Sequence, residues 1–194
     1  MSRRGLLALA LAPLVAGCGA AGHRPAVFQV AARPDEVATA FALGSDRAVT
    51  VAHVLDGRVM RLADGRRATV QSVDQADDLA VLSVPGQRAP RTRLGSASGD
   101  MVVLVVRGGR VKALPARLRR SIVARIRTPD GRRVVRRRAL ELAADIAPGD
   151  SGAPVVTGDG RVAGVVFAQS TRRAGVAYAV SALAARLPRP AGRW

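Results

Sequence analysis

Short apolar runs separated by turn-forming residues make up most of the 194-residue chain. The runs begin near Val37, are rich in Val, Ala and Leu, and are separated by Gly, Asp and Pro. Pairs such as Asp56-Gly57 and Asp64-Gly65 are typical of tight turns between antiparallel strands. Strands that alternate with long helices, as in a βαβ fold, are absent from the pattern. The sequence therefore predicts an all-β protein, either a sandwich or barrels.

The apolar runs fall into two successive sets of about six, joined by a polar, proline-containing connection at 85–93. One segment, 181–187, has a helical pattern that Pro188 ends. The first set covers 37–43, 48–52, 59–62, 68–73 and 79–84, and 27–30 could add a first strand. The second set covers 101–106, 117–127, 132–146, 153–156, 161–168 and 175–180.

The first seventeen residues have the layout of an export signal. Two arginines precede an uncharged segment, 5–15, which is too short to span a bilayer because a spanning helix needs about 20 residues. The segment ends in Val-Ala-Gly-Cys18, which resembles the lipobox of bacterial lipoproteins. The resemblance implies cleavage before Cys18, acylation of its thiol and amino group, and a lipid anchor in a bacterial membrane. The alternative is an unmodified cysteine in an ordinary signal peptide.

Cys18 is the only cysteine, so no intramolecular disulfide can hold the fold. The chain also has only two histidines, and one of them, His23, lies in the small-residue, proline-containing tether that follows the signal. His53 is therefore the one imidazole available to the folded part as a general base. Taken alone, it favours a core or surface histidine that has no chemical role.

Two other segments could carry chemistry together with His53. Glycines flank Ser151 in the run Pro148-Gly-Asp-Ser-Gly-Ala-Pro154, where a sharp turn could expose the hydroxyl and direct N–H groups at one point. Asp78 precedes the apolar run Leu79–Leu82, where a carboxylate could orient an imidazole. Taken alone, the Ser151 segment could equally be an ordinary turn, and the Asp78 segment favours two turn aspartates before a strand. Asp77 is the fallback for Asp78.

These three motifs, in the order His, Asp, Ser, resemble the trypsin-like serine proteases, and in particular bacterial HtrA-type protease domains. The resemblance covers about 37–187. It implies two six-stranded antiparallel β-barrels of the chymotrypsin-like fold with a short C-terminal helix. The expected organisation is a signal peptide (1–17), a lipidated tether (18–35), an N-terminal barrel (36–88) and a C-terminal barrel with the helix (89–194), without a PDZ domain.

The resemblance also implies roles for residues. Ser151 would be the nucleophile, His53 the general base and Asp78 the group that orients His53, and the N–H groups of Gly149 and Ser151 would form the oxyanion hole. The mechanism needs no metal and no cofactor. Asp145 is a hypothetical selector of basic substrate side chains, whereas an apolar set suggests small aliphatic specificity instead. That set consists of Val165, Val166, Phe167 and Val176.

Asp150 departs from the asparagine usual in HtrA proteins. In trypsin-like enzymes with this aspartate, the freed N-terminal ammonium pairs with the carboxylate. A lipidated Cys18 would not be free to do so, so we expect the carboxylate to find another donor or to stay protonated. The expected donor is an arginine, with Arg172, Arg173 or an arginine of the predicted hairpin at 117–138 as candidates. No proteolytic activation should then be needed.

The formal net charge is +17, and ten arginines lie within 117–138, which is predicted to form a hairpin. A plain solvated face is one interpretation, and contact with anionic lipid headgroups or cell-wall polymers is the other. Nucleic-acid binding is disfavoured because aromatic residues make up only 3% of the chain. The sequence thus predicts an exported, membrane-anchored serine endopeptidase acting on proteins or peptides. The alternatives are a catalytically silent protease-fold lipoprotein that binds peptides or anionic envelope components, and a basic structural lipoprotein.

Overall fold

The computed structural model describes residues 24–33, 36–127 and 134–185. Within them the all-β prediction is confirmed, with twelve strands and one three-residue 3₁₀ helix, Ala52–Val54. The strands of the first half are β1 (Val27–Arg33), β2 (Glu36–Gly44), β3 (Arg47–Val51), β4 (Val59–Arg61), β5 (Arg67–Asp74) and β6 (Leu79–Ser83). The strands of the second half are β7 (Asp100–Arg107), β8 (Arg110–Arg127), β9 (Val134–Ala143), β10 (Pro154–Thr157), β11 (Val162–Gln169) and β12 (Val176–Ser181).

The twelve strands form two antiparallel sheets of six. The first has the order β1-β2-β3-β6-β5-β4, and a single bridge between Val30 and Leu62 links its two edges. The second is a closed barrel with the order β10-β11-β12-β9-β8-β7, in which β10 also pairs with β7. Two six-stranded halves of this kind are the chymotrypsin-like architecture that the sequence predicts.

Several predicted boundaries need correction. Strand β1 pairs along its length with β2, so 27–33 belongs to the first sheet and not to the tether assigned to 18–35. Strand β8 begins at Arg110 rather than at 117, because it pairs with the whole of β7 before it turns to β9. Strand β9 ends at Ala143, three residues before the predicted end.

The predicted C-terminal helix is not seen in the part of the chain that the structure describes. Ser181 ends β12 and the next four residues form a turn, while 186 and 187 lie outside the described residues. The signal peptide, Cys18 and the start of the tether also lie outside them. No helix within the described ranges has the length and hydropathy needed to cross a membrane.

The core consists mostly of small aliphatic side chains, with Phe41 as the largest that is fully buried. One cluster fills the first sheet and continues across the junction to Val156, Val162 and Val165 of the second. Another cluster, with Leu142 as its largest fully buried member, fills the second barrel. Because the first cluster draws on both sheets, the two halves share apolar surface, and burial of that surface holds them together without a disulfide.

Candidate active site

His53 and Asp78 are in direct contact. Strand β3 ends at Val51, and the 3₁₀ turn that follows places His53 at the surface. Its Nδ1 lies 2.8 Å from Asp78 Oδ2, and its backbone N–H donates to Asp78 Oδ1 at 2.9 Å. A carboxylate can only accept here, so the contact selects the tautomer with the proton on Nδ1 and leaves Nε2 as the basic nitrogen.

The conformation at the start of β6 determines which aspartate reaches His53. Asp78 has φ +58°, in the left-handed region, and its carbonyl accepts a hydrogen bond from the Ala52 N–H at 2.9 Å. Asp77, the fallback, instead donates its N–H to Asp74 Oδ1 at 3.0 Å. Burial, followed by the nearby Asp74 charge, raises the pKa of Asp77. The geometry therefore supports Asp78 as the partner of His53.

A tight turn presents Ser151 between two glycines with positive φ, Gly149 at +95° and Gly152 at +89°. Ser151 is half-buried. Among the described residues, neither the Gly149 N–H nor the Ser151 N–H has a hydrogen-bond acceptor, so both are available to a bound oxyanion. The Ser151 hydroxyl likewise makes no hydrogen bond to any described residue, including His53.

Two buried threonines connect the Ser151 turn to the His53 strand. Thr39 on β2 donates its backbone N–H to the Ser151 carbonyl at 2.8 Å and its hydroxyl to the Gly149 carbonyl at 3.0 Å. Thr50 on β3, three residues before His53, donates its hydroxyl to the Thr39 carbonyl at 2.8 Å. The sequence analysis missed both threonines. Their regular place in apolar strands gave no signal of this role.

Asp150 is buried, at 1% exposure, and meets an arginine as expected. The donor is Arg107, at the end of β7. Its Nε donates to Asp150 Oδ1 at 3.2 Å and its Nη2 to Oδ2. The Ala147 N–H adds a third bond to Oδ2, at 2.8 Å. Hydrogen bonding to Asp150 raises the pKa of Arg107, so the pair is ionic.

The candidates Arg172 and Arg173 were wrong as partners of Asp150. Arg173 instead donates to both carboxylate oxygens of Glu141, at 3.2 and 3.1 Å, and to the Tyr178 hydroxyl at 3.1 Å. Arg120 also donates to Glu141. Bonds from Arg173, then from Arg120, hold the pKa of Glu141 below its usual range. Their stabilising effect is present at neutral pH and is lost as the pH falls through that lowered pKa.

Asp78 Oδ2 has a second donor, one of the hairpin arginines to which the sequence analysis gave no role at this site. Arg137, on β9, is buried and donates from Nη1 to Asp78 Oδ2 at 3.2 Å. The two-residue alternation of a strand could have shown that Arg137 shares a face with Val135 and Ala139, which is the inward face.

A groove of about 640 Å³ opens beside His53, between the β8–β9 hairpin and the end of β11. Its lining combines apolar and cationic side chains, and Asp78 is the one carboxylate among the lining residues that the structure describes. The lining includes His53, Asp78, Ile122, Arg125, Ile126, Val135, Arg137, Phe167, Arg172 and Tyr178.

Of the predicted substrate-binding residues, only Phe167 lines this groove. Val165, Val166 and Val176 are buried in the two cores or beside them. The side chain of Asp145 is exposed and lies outside the groove, while its carbonyl accepts a hydrogen bond from Arg107 at 3.2 Å. The three valines are thus buried residues and Asp145 is a surface residue. Composition alone did not distinguish them from residues that line a pocket.

Comparisons with known proteins identify the family of the chain. The family model described as "Trypsin-like peptidase domain" matches residues 38–165. The chain belongs to this family. "Serine protease Rv3671c" of Mycobacterium tuberculosis is 35% identical over 156 residues, which cover 74% of this chain and 39% of the mycobacterial protein. The chain thus spans about two fifths of the length of that relative.

Solved structures extend the match. The active form of the Rv3671c protease from M. tuberculosis aligns with this trypsin-like peptidase at a TM-score of 0.75, 28% identity, and coverage of 93% of this chain and 91% of that one. The HtrA-type protease AlgW with a tripeptide shares the fold, at a TM-score of 0.64, 22% identity, and coverage of 85% and 59%.

The crowding around Gly152 predicts that it cannot be replaced. A Cβ at Gly152 would lie 2.0 Å from the Thr39 carbonyl oxygen and 2.5 Å from Thr50 Oγ1, at a φ that disfavours side chains. We expect Gly152→Ala to lower the free energy of unfolding by on the order of 3 kcal/mol, measured by urea denaturation. Gly158→Ala is the control, because a Cβ there meets nothing within 4 Å. Equal stability of the two variants would contradict this account of the turn.

The Arg107–Asp150 pair predicts a second effect. Arg107→Met leaves a buried carboxylate with one N–H donor, so we expect a loss of about 3 kcal/mol in unfolding free energy. Adding Asp150→Asn to Arg107→Met should restore part of the loss, since the unpaired charge is then gone. Arg110→Met, exposed just beyond the turn, should change stability by less than about 0.5 kcal/mol. If Arg107→Met behaves like Arg110→Met, the pair does not stabilise the turn.

Proposed function

We propose that this trypsin-like peptidase is a serine endopeptidase that cleaves proteins or peptides through an acyl-enzyme. The observation that carries the proposal is the 2.8 Å contact between His53 Nδ1 and Asp78 Oδ2, with the Ser151 turn bound to the neighbouring strands through Thr39. The proposed roles are Ser151 as nucleophile, His53 as general base and Asp78 as the orienting carboxylate.

The proposed steps follow from these roles. Nε2 of His53 takes the proton of the Ser151 hydroxyl as Oγ attacks the scissile carbonyl carbon, and Asp78 stabilises the imidazolium. The carbonyl oxygen, now negative, receives hydrogen bonds from the N–H groups of Gly149 and Ser151. The imidazolium then protonates the leaving amine as the C–N bond breaks. Water, deprotonated by His53, releases the acyl group from Ser151 in the second half.

The groove beside His53 is the proposed substrate site. The end of β11, Phe167–Gln169, borders it and could pair with an extended peptide, while Phe167 and Ile126 offer apolar contact. Because Asp145 lies outside the groove, the arrangement favours apolar side chains over basic ones. The cationic side chains that line the groove also favour apolar over basic substrate side chains.

The ion pair of Asp150 supports an active site that forms when the chain folds, without cleavage of the chain. Arg107 and the Ala147 N–H meet the carboxylate that a new N-terminal ammonium meets in trypsin-like enzymes activated by cleavage. Since Arg107 is part of the barrel, we propose that no proteolytic activation is needed.

We also propose that the protein is exported and anchored by lipid on Cys18 to a bacterial membrane, on its periplasmic or extracytoplasmic face. The support is the lipobox-like sequence before the only cysteine. Two acyl signals give stable membrane attachment, whereas one chain gives marginal binding.

The β8–β9 hairpin supports contact with an anionic surface. Arg125 lies directly opposite Arg136, and Arg138 lies opposite Val123, all on the exposed face of the hairpin. Like charges opposite one another destabilise a strand pair, so an anionic partner would relieve a cost that the fold carries. We propose anionic lipid headgroups or cell-wall polymers as that partner.

Ser151→Ala tests the chemistry. We expect casein cleavage to fall on the order of 10⁴-fold or more, with unfolding free energy within about 0.5 kcal/mol of wild type. Ser72→Ala, on an exposed position of β5, should keep full activity. A fluorophosphonate probe should label wild type and Ser72→Ala but not Ser151→Ala. Unlabelled wild type would favour the catalytically silent alternative, and equal cleavage by wild type and Ser151→Ala would rule out this nucleophile.

Cys18→Ala tests the anchor. In a bacterial host, wild type and Ser151→Ala should incorporate labelled palmitate and sediment with membranes. Cys18→Ala should do neither, because the acyl chains provide the attachment. Wild type without label, or a Cys18→Ala variant that stays in the membrane fraction, would show that the cysteine is not lipidated.

A further inference from the structure

Arg137 is a buried cation inside an otherwise exposed arginine-rich hairpin. Its neighbours Arg136 and Arg138 are exposed, whereas its own side chain is only 4% accessible. Burying a guanidinium is costly unless its charge and its donors are satisfied. The position of Arg137 therefore requires specific partners, and the structure shows them.

The guanidinium of Arg137 is bound on three sides. Nη1 donates to Asp78 Oδ2 at 3.2 Å and Nε donates to the Ala76 carbonyl at 3.1 Å. The guanidinium carbon lies 5.0 Å from the centre of the Phe167 ring, in cation–π contact. Arg137 thus makes two hydrogen bonds to the segment 76–78, while its guanidinium packs against the Phe167 ring.

The contact with Asp78 involves the oxygen that faces the imidazole. Oδ2 accepts both from His53 Nδ1 at 2.8 Å and from Arg137, while Oδ1 accepts from the His53 backbone N–H. Three donors therefore fix the carboxylate in one rotamer. The cation also offsets part of the negative charge that would otherwise stabilise an imidazolium at His53.

We propose that Arg137 is a positioning residue of the peptidase reaction, which acts through Asp78 to orient His53 and to offset the negative charge beside its imidazole. The inference rests on the proposed function of His53 as general base. Arg137 shares the groove lining with substrate-facing residues, but its low exposure makes it a support for Asp78 and not a substrate contact.

Other charged groups surround the pair and must be held constant in any test. They are Asp74 and Asp77 before β6, Arg125 and Arg127 on β8, and Arg172 and Tyr178 across the groove. Arg137 also acts on Asp77, where its charge lowers a pKa that burial and Asp74 raise. An Asp77→Asn background removes that second route.

Two substitutions separate orientation from charge. Arg137→Met removes both, so kcat should fall on the order of tenfold, and the acid limb of the kcat/KM–pH profile should move up by roughly one pH unit. Arg137→Lys keeps the charge and loses the planar fork, so the acid limb should stay near wild type while kcat recovers only in part. KM should remain within about twofold in both variants.

Arg110→Met is the control, an exposed arginine on β8 that lies outside the groove and outside the surface proposed for anionic partners. It should leave kcat and the acid limb unchanged. If Arg137→Met matches this control in both measurements, the proposal fails. An unchanged acid limb in Arg137→Met with a raised limb in Arg137→Lys would also overturn it, because the charge argument requires the opposite order.

A double-mutant comparison tests the route through Asp78. In an Asp78→Asn background, adding Arg137→Met should change kcat/KM by less than about twofold, because the carboxylate it positions is gone. The same tenfold loss in both backgrounds would show that Arg137 acts elsewhere and would sink the proposal.

An NMR titration supplies a readout that does not need activity. In a His23→Gln background, His53 is the only histidine of the chain, so its ring Cε1–H signal can be followed without overlap. The midpoint should lie at higher pH in Arg137→Met than in wild type and Arg137→Lys. If this shift appears in a protein that cleaves nothing, the peptidase assignment fails while the Arg137–Asp78–His53 link stands. If cleavage is normal and no shift appears, the link fails alone.

Discussion

The hydrogen bonds of Thr39 are the connection on which the arrangement of the site depends. A chain with one cysteine cannot clamp its two halves covalently, and the shared apolar cluster holds them together without selecting a fine alignment. Thr39 supplies directional hydrogen bonds that fix this alignment. It is bound on one side to Thr50, which leads to His53, and on the other to the carbonyls on either side of Asp150. The position of the Ser151 turn relative to His53 follows from these bonds.

Arginine binds two buried carboxylates, Glu141 and Asp150, and the partly buried carboxylate of Asp78 in the same way. Asp78 is held by Arg137, Glu141 by Arg173 and Arg120, and Asp150 by Arg107. A buried carboxylate without a partner would carry a large desolvation cost, and a guanidinium offers a planar set of donors that suits it. The arginine bias of the composition therefore has a structural use inside the protein, next to its effect on the surface.

The sequence predicted the strands well because short runs of Val, Ala and Leu between turn formers leave few alternatives. It also placed His53 and Asp78 in contact through the family motifs, and it anticipated an arginine for Asp150. It could not choose Arg107, because that residue is 43 positions from Asp150 and only barrel closure brings β7 beside the turn. It gave Arg137 no role at the site because clustered charges suggest a solvated face, whereas strand alternation turns one of them inward.

Burial separates the apolar candidates for the substrate site. Val165 and Val166 lie on opposite faces of β11 and are buried in the two cores. Phe167 packs against the same cluster as Val165 but is only half-buried. Its ring also lines the groove and lies under the guanidinium of Arg137. The Phe167 ring thus belongs both to the wall of the groove and to the support of Asp78 through Arg137. A substitution at Phe167 therefore alters both. A variant at Arg137 is needed to separate the effect on the groove from the effect on the Asp78 carboxylate.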